Sequence, residues 1–347
     1  MDKSNYSPTD LNNFVSCKYH IKNDLLKDEL KLKKKEKNAN LKLRIEYGIQ
    51  HEANHFKLLK TKHKKHITIN PNQSAEKKCA ETIKALKDGY DLIYKAYFVD
   101  NNFRGEVDFL LKTQIKSKLG DYSYEVHDTK ITKNLRPKHI LQITGYSYLL
   151  SKIQGFTPIK MYLIDGANLI HDFKVSEFLD YFLYTKDNFE KFLPTVEKID
   201  LYPEKCSFCN ICPWFDECEK VWVGDNYINQ ICGINVSQIT KLKKENIRTV
   251  ETFATTEIKD IKSKINPSTK IKLYEQAKLQ EEKRITGKSR FVINETENDK
   301  GLYKMPEPNA GDLFYDIEGF PQADKRNFEY LHGIYFNNNK NKVDQTP

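Results

Sequence analysis

From about residue 91 to residue 130 apolar and polar side chains alternate, the period of a half-buried strand. On either side they recur every three to four positions, the period of an amphipathic helix. Strands are predicted at 91–100 and 102–112, joined by Asp100-Asn101-Asn102, which has turn chemistry, and at 122–130. In the second strand Gly105, Val107, Phe109 and Leu111 should face one way, and Arg104, Glu106 and Asp108 the other. In the third, Asp128 and Lys130 share a face, so pairing the two strands would gather Asp108, Asp128 and Lys130 at one sheet edge.

Ser7-Pro8-Thr9-Asp10 starts a helix that ends near Cys17: Ser7 caps, Pro8 suits the first turn and Asp10 complements the dipole. Further helices are predicted over the charged stretch 21–44, from Leu43 to Leu59, and from Ser74 to a terminating Gly89. Another opens at Pro137 and carries Gln142 and Tyr146 on one face; one more spans about 175–195. Strands near 158–164 and 168–173 flank a turn at Asp165-Gly166. These elements make an α/β fold, a mixed central sheet with flanking helices. Beyond it, Ile231 to Thr255 reads as two short helices around Glu245-Asn246-Ile247, where Asn tolerates a left-handed turn, and a helix follows near 268–284. Residues 286–310, polar and holding Pro306 and Pro308, read as a linker, and strands follow at 311–319 and at Glu329 to Phe336.

The 347 residues, 39% hydrophobic and 12% aromatic, suffice for two or three domains with real cores. A net charge of +9 favours a polyanionic partner. The lysines at 31, 33, 34, 35 and 37 read as a solvated helix face or a loop, with a DNA-facing role as the alternative. No apolar run has the length of a membrane span and the first residues are no signal peptide, so no membrane partner and a cytoplasmic location are expected. Seven cysteines in a reducing compartment point to metal rather than disulfides. Cys79 and Cys232 have no ligand-type neighbours and read as packing.

Two carboxylates and a lysine at one place suit phosphodiester hydrolysis. Carboxylate oxygens hold Mg²⁺ or Mn²⁺ with positions left for water and a phosphate oxygen, and the lysine neutralises charge growing on the phosphate. Alone, Asp128-Thr129-Lys130 is a solvated strand face; the Gly105-x-x-Asp108 strand before it and the Gln142-x-x-x-Tyr146 helix after it change the picture.

In that order these residues resemble the core of PD-(D/E)XK nucleases of the RecB-like branch, whose restriction-endonuclease-like fold is a mixed sheet with flanking helices. The resemblance implies a divalent-metal-dependent DNA nuclease, an exonuclease in repair or recombination. Asp108, Asp128 and the histidine of Gly48-x-x-His51 would hold the metal, Lys130 would be catalytic, and Gln142 and Tyr146 would position the phosphate or support the lysine. Glu52 accompanies the histidine in the closer relatives; on its own it is a surface carboxylate or a hydrogen-bond partner. A non-catalytic nucleic-acid-binding module of a larger nuclease–helicase, and a nuclease acting on RNA, stand as alternatives, with a helicase or a missing C-terminal region as partner.

Cys206, Cys209, Cys212 and Cys218 crowd into thirteen positions, and a metal centre is the default. The four could close a structural Zn²⁺ site. Alternatively Cys209-x-x-Cys212-x₅-Cys218 joins Cys17 around a [4Fe–4S] cluster, which is the layout of iron–sulfur nucleases of the RecB-like branch and leaves Cys206 surplus. Residues 1–223 would form the nuclease with its cysteine cluster and 224–285 a domain resembling a helix–hairpin–helix. Segment 311–347 resembles the start of a ribonuclease-H-like exonuclease domain, where Asp316 and Glu318 match the first metal-binding motif of an incomplete second site. The chain is expected to be a truncation or a fragment on that account.

Overall fold

The computed structural model describes residues 5–293, 299–320 and 328–336; parts of the expected linker and of segment 311–347 lie outside them. The chain divides into two compact units, Met1–Lys278 and Leu279–Pro347.

Ser7 opens α1 (Pro8–Ser16) with a capping box: Asp10 N–H donates to Ser7 Oγ while Ser7 N–H donates to Asp10 Oδ2 at 2.8 Å. Cys17, extended, ends this helix and starts α2 (Lys18–Leu26). The charged stretch 21–44 is therefore not one helix: it leaves helical geometry after Leu26 and regains it at α3 (Ala39–Lys62), which Asn38 caps. The lysine run between them straps down other parts of the chain. Lys34 pairs with buried Asp24 at 2.7 Å and sits 5.0 Å from the Trp214 ring centre, and Lys35 pairs with Asp216 at 2.8 Å.

Six strands form one mixed sheet in chain order: β1 (His66–Thr68), β2 (Leu92–Asp100), β3 (Phe103–Thr113), β4 (Ser123–Thr129), β5 (Lys160–Ile164) and β6 (Ile170–Lys174). The first and fourth pairings are parallel, the others antiparallel. Between strands lie α4 (Ala75–Lys87) and α5 (Pro137–Gln154), and α6 (Leu179–Phe192) follows β6. One face of the sheet buries Ala96, Phe98, Val107, Leu110 and Val126 with Leu149 of α5, Leu11 of α1 and Phe182 of α6. The other packs Leu92, Tyr94, Phe109 and Leu111 against Phe56 and Leu59 of α3. Gln154, buried at the end of α5, accepts from Tyr124 N–H at 3.0 Å and so fixes that helix to β4.

The strict alternation expected for β3 fails at its centre. Gly105 and Val107 lie on the α5 side, but Phe109 and Leu111 turn to α3. The partner strand turns with it, since Tyr94 faces α3 and Ala96 the opposite core, while the pairing Tyr94↔Phe109 and Ala96↔Val107 stays in register. At the reversal Lys95 takes a φ of +61°, a left-handed residue in mid-strand. β3 and β4 stand third and fourth of six strands, so Asp108 and Asp128 sit at the sheet's centre rather than its edge.

The rest of the first unit is helical: α7 (Phe215–Gly224), α8 (Val236–Lys243), α9 (Val250–Thr255) and α10 (Pro267–Thr286), within which the division between units falls. Trp222, Ile228, Leu242, Phe253 and Ala277 form its core. Asn246 between α8 and α9 takes a φ of +61°, as the hairpin reading requires. Cys232, expected in a core, is exposed, because it follows the turn after Gln230 rather than lying on a helix face. In the second unit β7 (Leu313–Phe320) and β8 (Phe328–Phe336) form an antiparallel ribbon, on which Asp316 and Glu318 are exposed and lie opposite Gly333 and Leu331.

Candidate active site

Asp108 lies where β3 and β4 part. The ladder runs to Phe109↔His127, and beyond it the carboxylate replaces a backbone acceptor: Thr129 N–H and Thr129 Oγ each donate to Asp108 Oδ2 at 3.1 Å. Asp128, 3% exposed, projects beside it. Lys130 stands one residue past the end of β4, where its N–H donates to Ile164 O at 2.8 Å and extends the pairing with β5. Its ammonium is ion-paired with Asp128. Burial pushes the Asp128 carboxyl above the ordinary range; Lys130 opposes this and Asp108 adds to it. Burial works against the Lys130 ammonium, but the Asp128 and Asp108 carboxylates outweigh it and raise its pKa.

Gln142 and Tyr146 meet across one turn of α5, the amide donating to the phenol oxygen at 2.8 Å. The Tyr146 ring reaches the aspartates because position 105 has no side chain. A Cβ there would lie 2.8 Å from Tyr146 Cε1, which explains the glycine three residues before Asp108. Burial, and then the nearby Asp128 charge, hold the Tyr146 phenol protonated well above the ordinary range.

From the opposite face α3 brings Glu52, ion-paired with Lys95 at 2.6 Å, and the neighbouring His51. Lys95 also reaches Asp108 Oδ1 at 3.2 Å and Glu106 Oε1 at 3.9 Å. Sequence reading put Glu106 on the face of Asp108 but gave it no role, and it missed Lys95, since a lysine in a strand carries no signal.

His51 Nε2 is a buried atom with no hydrogen-bond partner among the described residues, whereas Glu52 Oε1 and Asp128 Oδ2 are each met by a lysine ammonium, Lys95 and Lys130. A buried atom such as His51 Nε2 is costly unless something else meets it. The carboxylate oxygens suit Mg²⁺ or Mn²⁺, and the imidazole nitrogen favours the transition ion of the two, Mn²⁺. Among the described residues, no three His, Cys, Asp or Glu side chains are already set as a coordination shell.

Beside Lys130 a cleft of about 460 Å³ opens between α1, the start of α5 and the cysteine turn. It is lined by Lys130, Arg136, Lys138, His139, Asn12 and Phe208 among others, with no carboxylate. The cations burden one another. Burial, then Arg136, Arg44 and Lys130, lower the Lys138 pKa; burial, then Lys130, Lys138 and Arg136, bring His139 down to about 4.

The cysteines come together from both ends of the first unit. Cys206 Sγ is 3.9 Å from Cys209 Sγ and 3.7 Å from Ser16 O, next to Cys17. Burial raises Cys209 to about 11 and Cys212 and Cys218 to about 12, and Cys17, Cys206 and the other thiols add to each. His20, also unforeseen, sets Nδ1 3.3 Å from Cys212 Sγ and Nε2 3.1 Å from Asp24. Five thiols within electrostatic reach of one another fit a thiolate-bound metal centre, zinc or iron–sulfur. Asp316 and Glu318 belong to the second unit.

No family model and no curated protein matches the chain. Among the described residues no helix is long and apolar enough to cross a membrane. The functional reading therefore stands on the geometry of the two clusters.

Proposed function

We propose that the chain is a divalent-metal-dependent nuclease of the RecB-like PD-(D/E)XK type that hydrolyses phosphodiester bonds in DNA. The observation that carries this reading is the meeting of Asp108 and Asp128 from adjacent strands, with Lys130 on Asp128, and with the unpartnered His51 Nε2 and the Glu52 carboxylate brought by α3. Asp108, Asp128, Glu52 and His51 would hold Mg²⁺ or Mn²⁺. That ion, when bound, lowers the pKa of a water and polarises the phosphate. Lys130 supplies positive charge where negative charge grows on the phosphate, and Tyr146, oriented by Gln142, stands within electrostatic reach of Asp128. The carboxylate-free cleft draws in the polyanion through Lys138, Arg136 and His139, contacts that read the backbone and not the sequence.

The thiol group would hold a [4Fe–4S] cluster through Cys17, Cys209, Cys212 and Cys218, or zinc, and would tie residue 17 to 206–218 as a clamp. Exonuclease action in repair or recombination is what the resemblance to RecB-like nucleases implies.

One observation favours a second reading. Lys95 already neutralises the carboxylates, as it would in a non-catalytic nucleic-acid-binding module. Incubating end-labelled DNA and RNA with Mn²⁺ or Mg²⁺ separates the two. Cleavage that Asp128→Ala and Lys130→Ala abolish supports the nuclease; binding without cleavage by the wild-type chain supports the module. Cleavage confined to RNA would move the substrate class.

A further inference from the structure

Lys95 is a bulky residue held left-handed in the middle of a paired strand, at a φ of +61°. Such a conformation is strained for a residue with a long side chain and persists only where the surroundings impose it. Here they are three carboxylates. The ammonium lies 2.6 Å from Glu52, 3.2 Å from Asp108 and 3.9 Å from Glu106, groups drawn from α3 and β3. The Lys95 and Asp108 side chains are 24% and 15% exposed, too buried for solvent to screen the pairing away.

We propose that Lys95 is a resident counter-cation, which fills the carboxylate site in the metal-free protein and must withdraw before a divalent ion can bind. The inference rests on the nuclease reading. The two oxygens that Lys95 holds, Glu52 Oε1 and Asp108 Oδ1, cannot ligate an ion while the ammonium sits on them, so at those atoms the two occupancies exclude one another. The side chain has a route out. Glu106, at 38% exposure the most open of the three, lies farthest from the ammonium and is held from its other side by Lys78 at 3.3 Å. A lysine's flexible four-carbon stem allows a swing toward Glu106 with an ion pair kept throughout. Metal affinity is thereby set by a competitor built into β2, and the carboxylates stay neutralised while the metal is away.

The test is Mn²⁺ binding, followed by isothermal titration and by the electron paramagnetic resonance of free Mn²⁺, on the full chain. Lys95→Asn removes the charge and accepts the left-handed backbone; Lys95→Arg keeps the charge. Lys95→Asn should bind Mn²⁺ on the order of tenfold tighter or more, the coupling expected of mutually exclusive ligands. It should also melt below wild type without metal and gain more from Mn²⁺ than wild type does. Lys95→Arg should bind no tighter than wild type. Should the Asn variant not fold, Lys95→Gly removes the same charge and also relaxes the backbone. Unchanged or weaker Mn²⁺ binding by a folded neutral variant overturns the inference, provided Asp108→Asn abolishes binding. If Asp108→Asn leaves wild-type binding intact, the carboxylates hold no metal and the nuclease reading falls with it.

Discussion

Thr129 gives both of its donors to one oxygen of Asp108, the N–H and the hydroxyl each at 3.1 Å. The aspartate is thus aimed by the strand that carries Asp128, and neither carboxylate can shift without the other's strand. Thr129→Val keeps the N–H and the shape but removes the hydroxyl. It should cost about 1–3 kcal/mol in urea denaturation, the range for a hydrogen bond to a charged acceptor. It should also raise the Mn²⁺ concentration needed for cleavage, and Thr129→Ser should restore both. If Thr129→Val binds Mn²⁺ as wild type does, Asp108 needs no such anchoring.

Gly105 and Tyr146 occupy one space. A methyl group at 105 would sit inside contact distance of the ring, at 2.8 Å, and of Leu149 Cδ1, at 3.1 Å. Gly105→Ala should therefore cost about 1–3 kcal/mol, as overpacking does, and slow cleavage by displacing the phenol from beside Asp128. Trimming the ring in Gly105→Ala/Tyr146→Leu should recover the stability, read by thermal melting, but not the rate. Recovery of both would show that Tyr146 only fills space.

His139 is kept neutral by burial, by the cations Lys130, Lys138 and Arg136, and by Arg136 N–H, which donates to its Nδ1 at 3.2 Å. Its pKa in the fold, about 4, lies below the ordinary 6.5. Between those values the unfolded chain takes up a proton that the native chain refuses. Its contribution to stability is complete above the ordinary value and is lost as pH falls through that window. A polyanion in the cleft offsets the neighbouring charges, raises the pKa and brings the proton in. Oligonucleotide binding should thus tighten from pH 7.5 to 5.5, and the gain should vanish in His139→Gln, which can still cap the helix. Binding that weakens on acidification, in fluorescence anisotropy at constant salt, would rule out this coupling.

The elements that carry the site were legible because each has a local cause. The Ser7–Asp10 capping box, the strand alternation up to Val107 and the Pro137 helix start are written in adjacent residues. What was not legible depends on neighbours far along the chain. Phe109 and Leu111 change sides beside a left-handed residue, Lys95, that belongs to another strand. The lysines near residue 34 are exposed in a loop, as one of their sequence readings has it, but Lys34 and Lys35 also lie over Trp214 and Phe215, partners that only folding supplies. His20 and Asp24 likewise gain meaning only when Cys212 arrives beside them, 192 positions from His20.

The thiol cluster gives the last prediction, because its two metal readings use different cysteines. Cys17 lies at the α1–α2 junction, whereas Cys206 opens the turn that carries Cys209. An iron–sulfur centre on Cys17, Cys209, Cys212 and Cys218 should survive Cys206→Ser and be lost in Cys17→Ser. Iron, acid-labile sulfide and visible absorbance of anaerobically purified protein would follow it. A zinc site on the four later thiols inverts the result: Cys17→Ser keeps one zinc and Cys206→Ser loses it. In either case the metal binds thiolates, and burial holds Cys212 and Cys218 protonated up to about 12 when no metal is present. Loading must therefore release protons and weaken as pH falls. His20→Leu should speed loss of the centre in air, since it removes the ring now 3.3 Å from Cys212 Sγ and leaves Asp24 to Lys34 and Trp214 alone. A centre equally durable without that ring would mean that His20 is only packing against the turn.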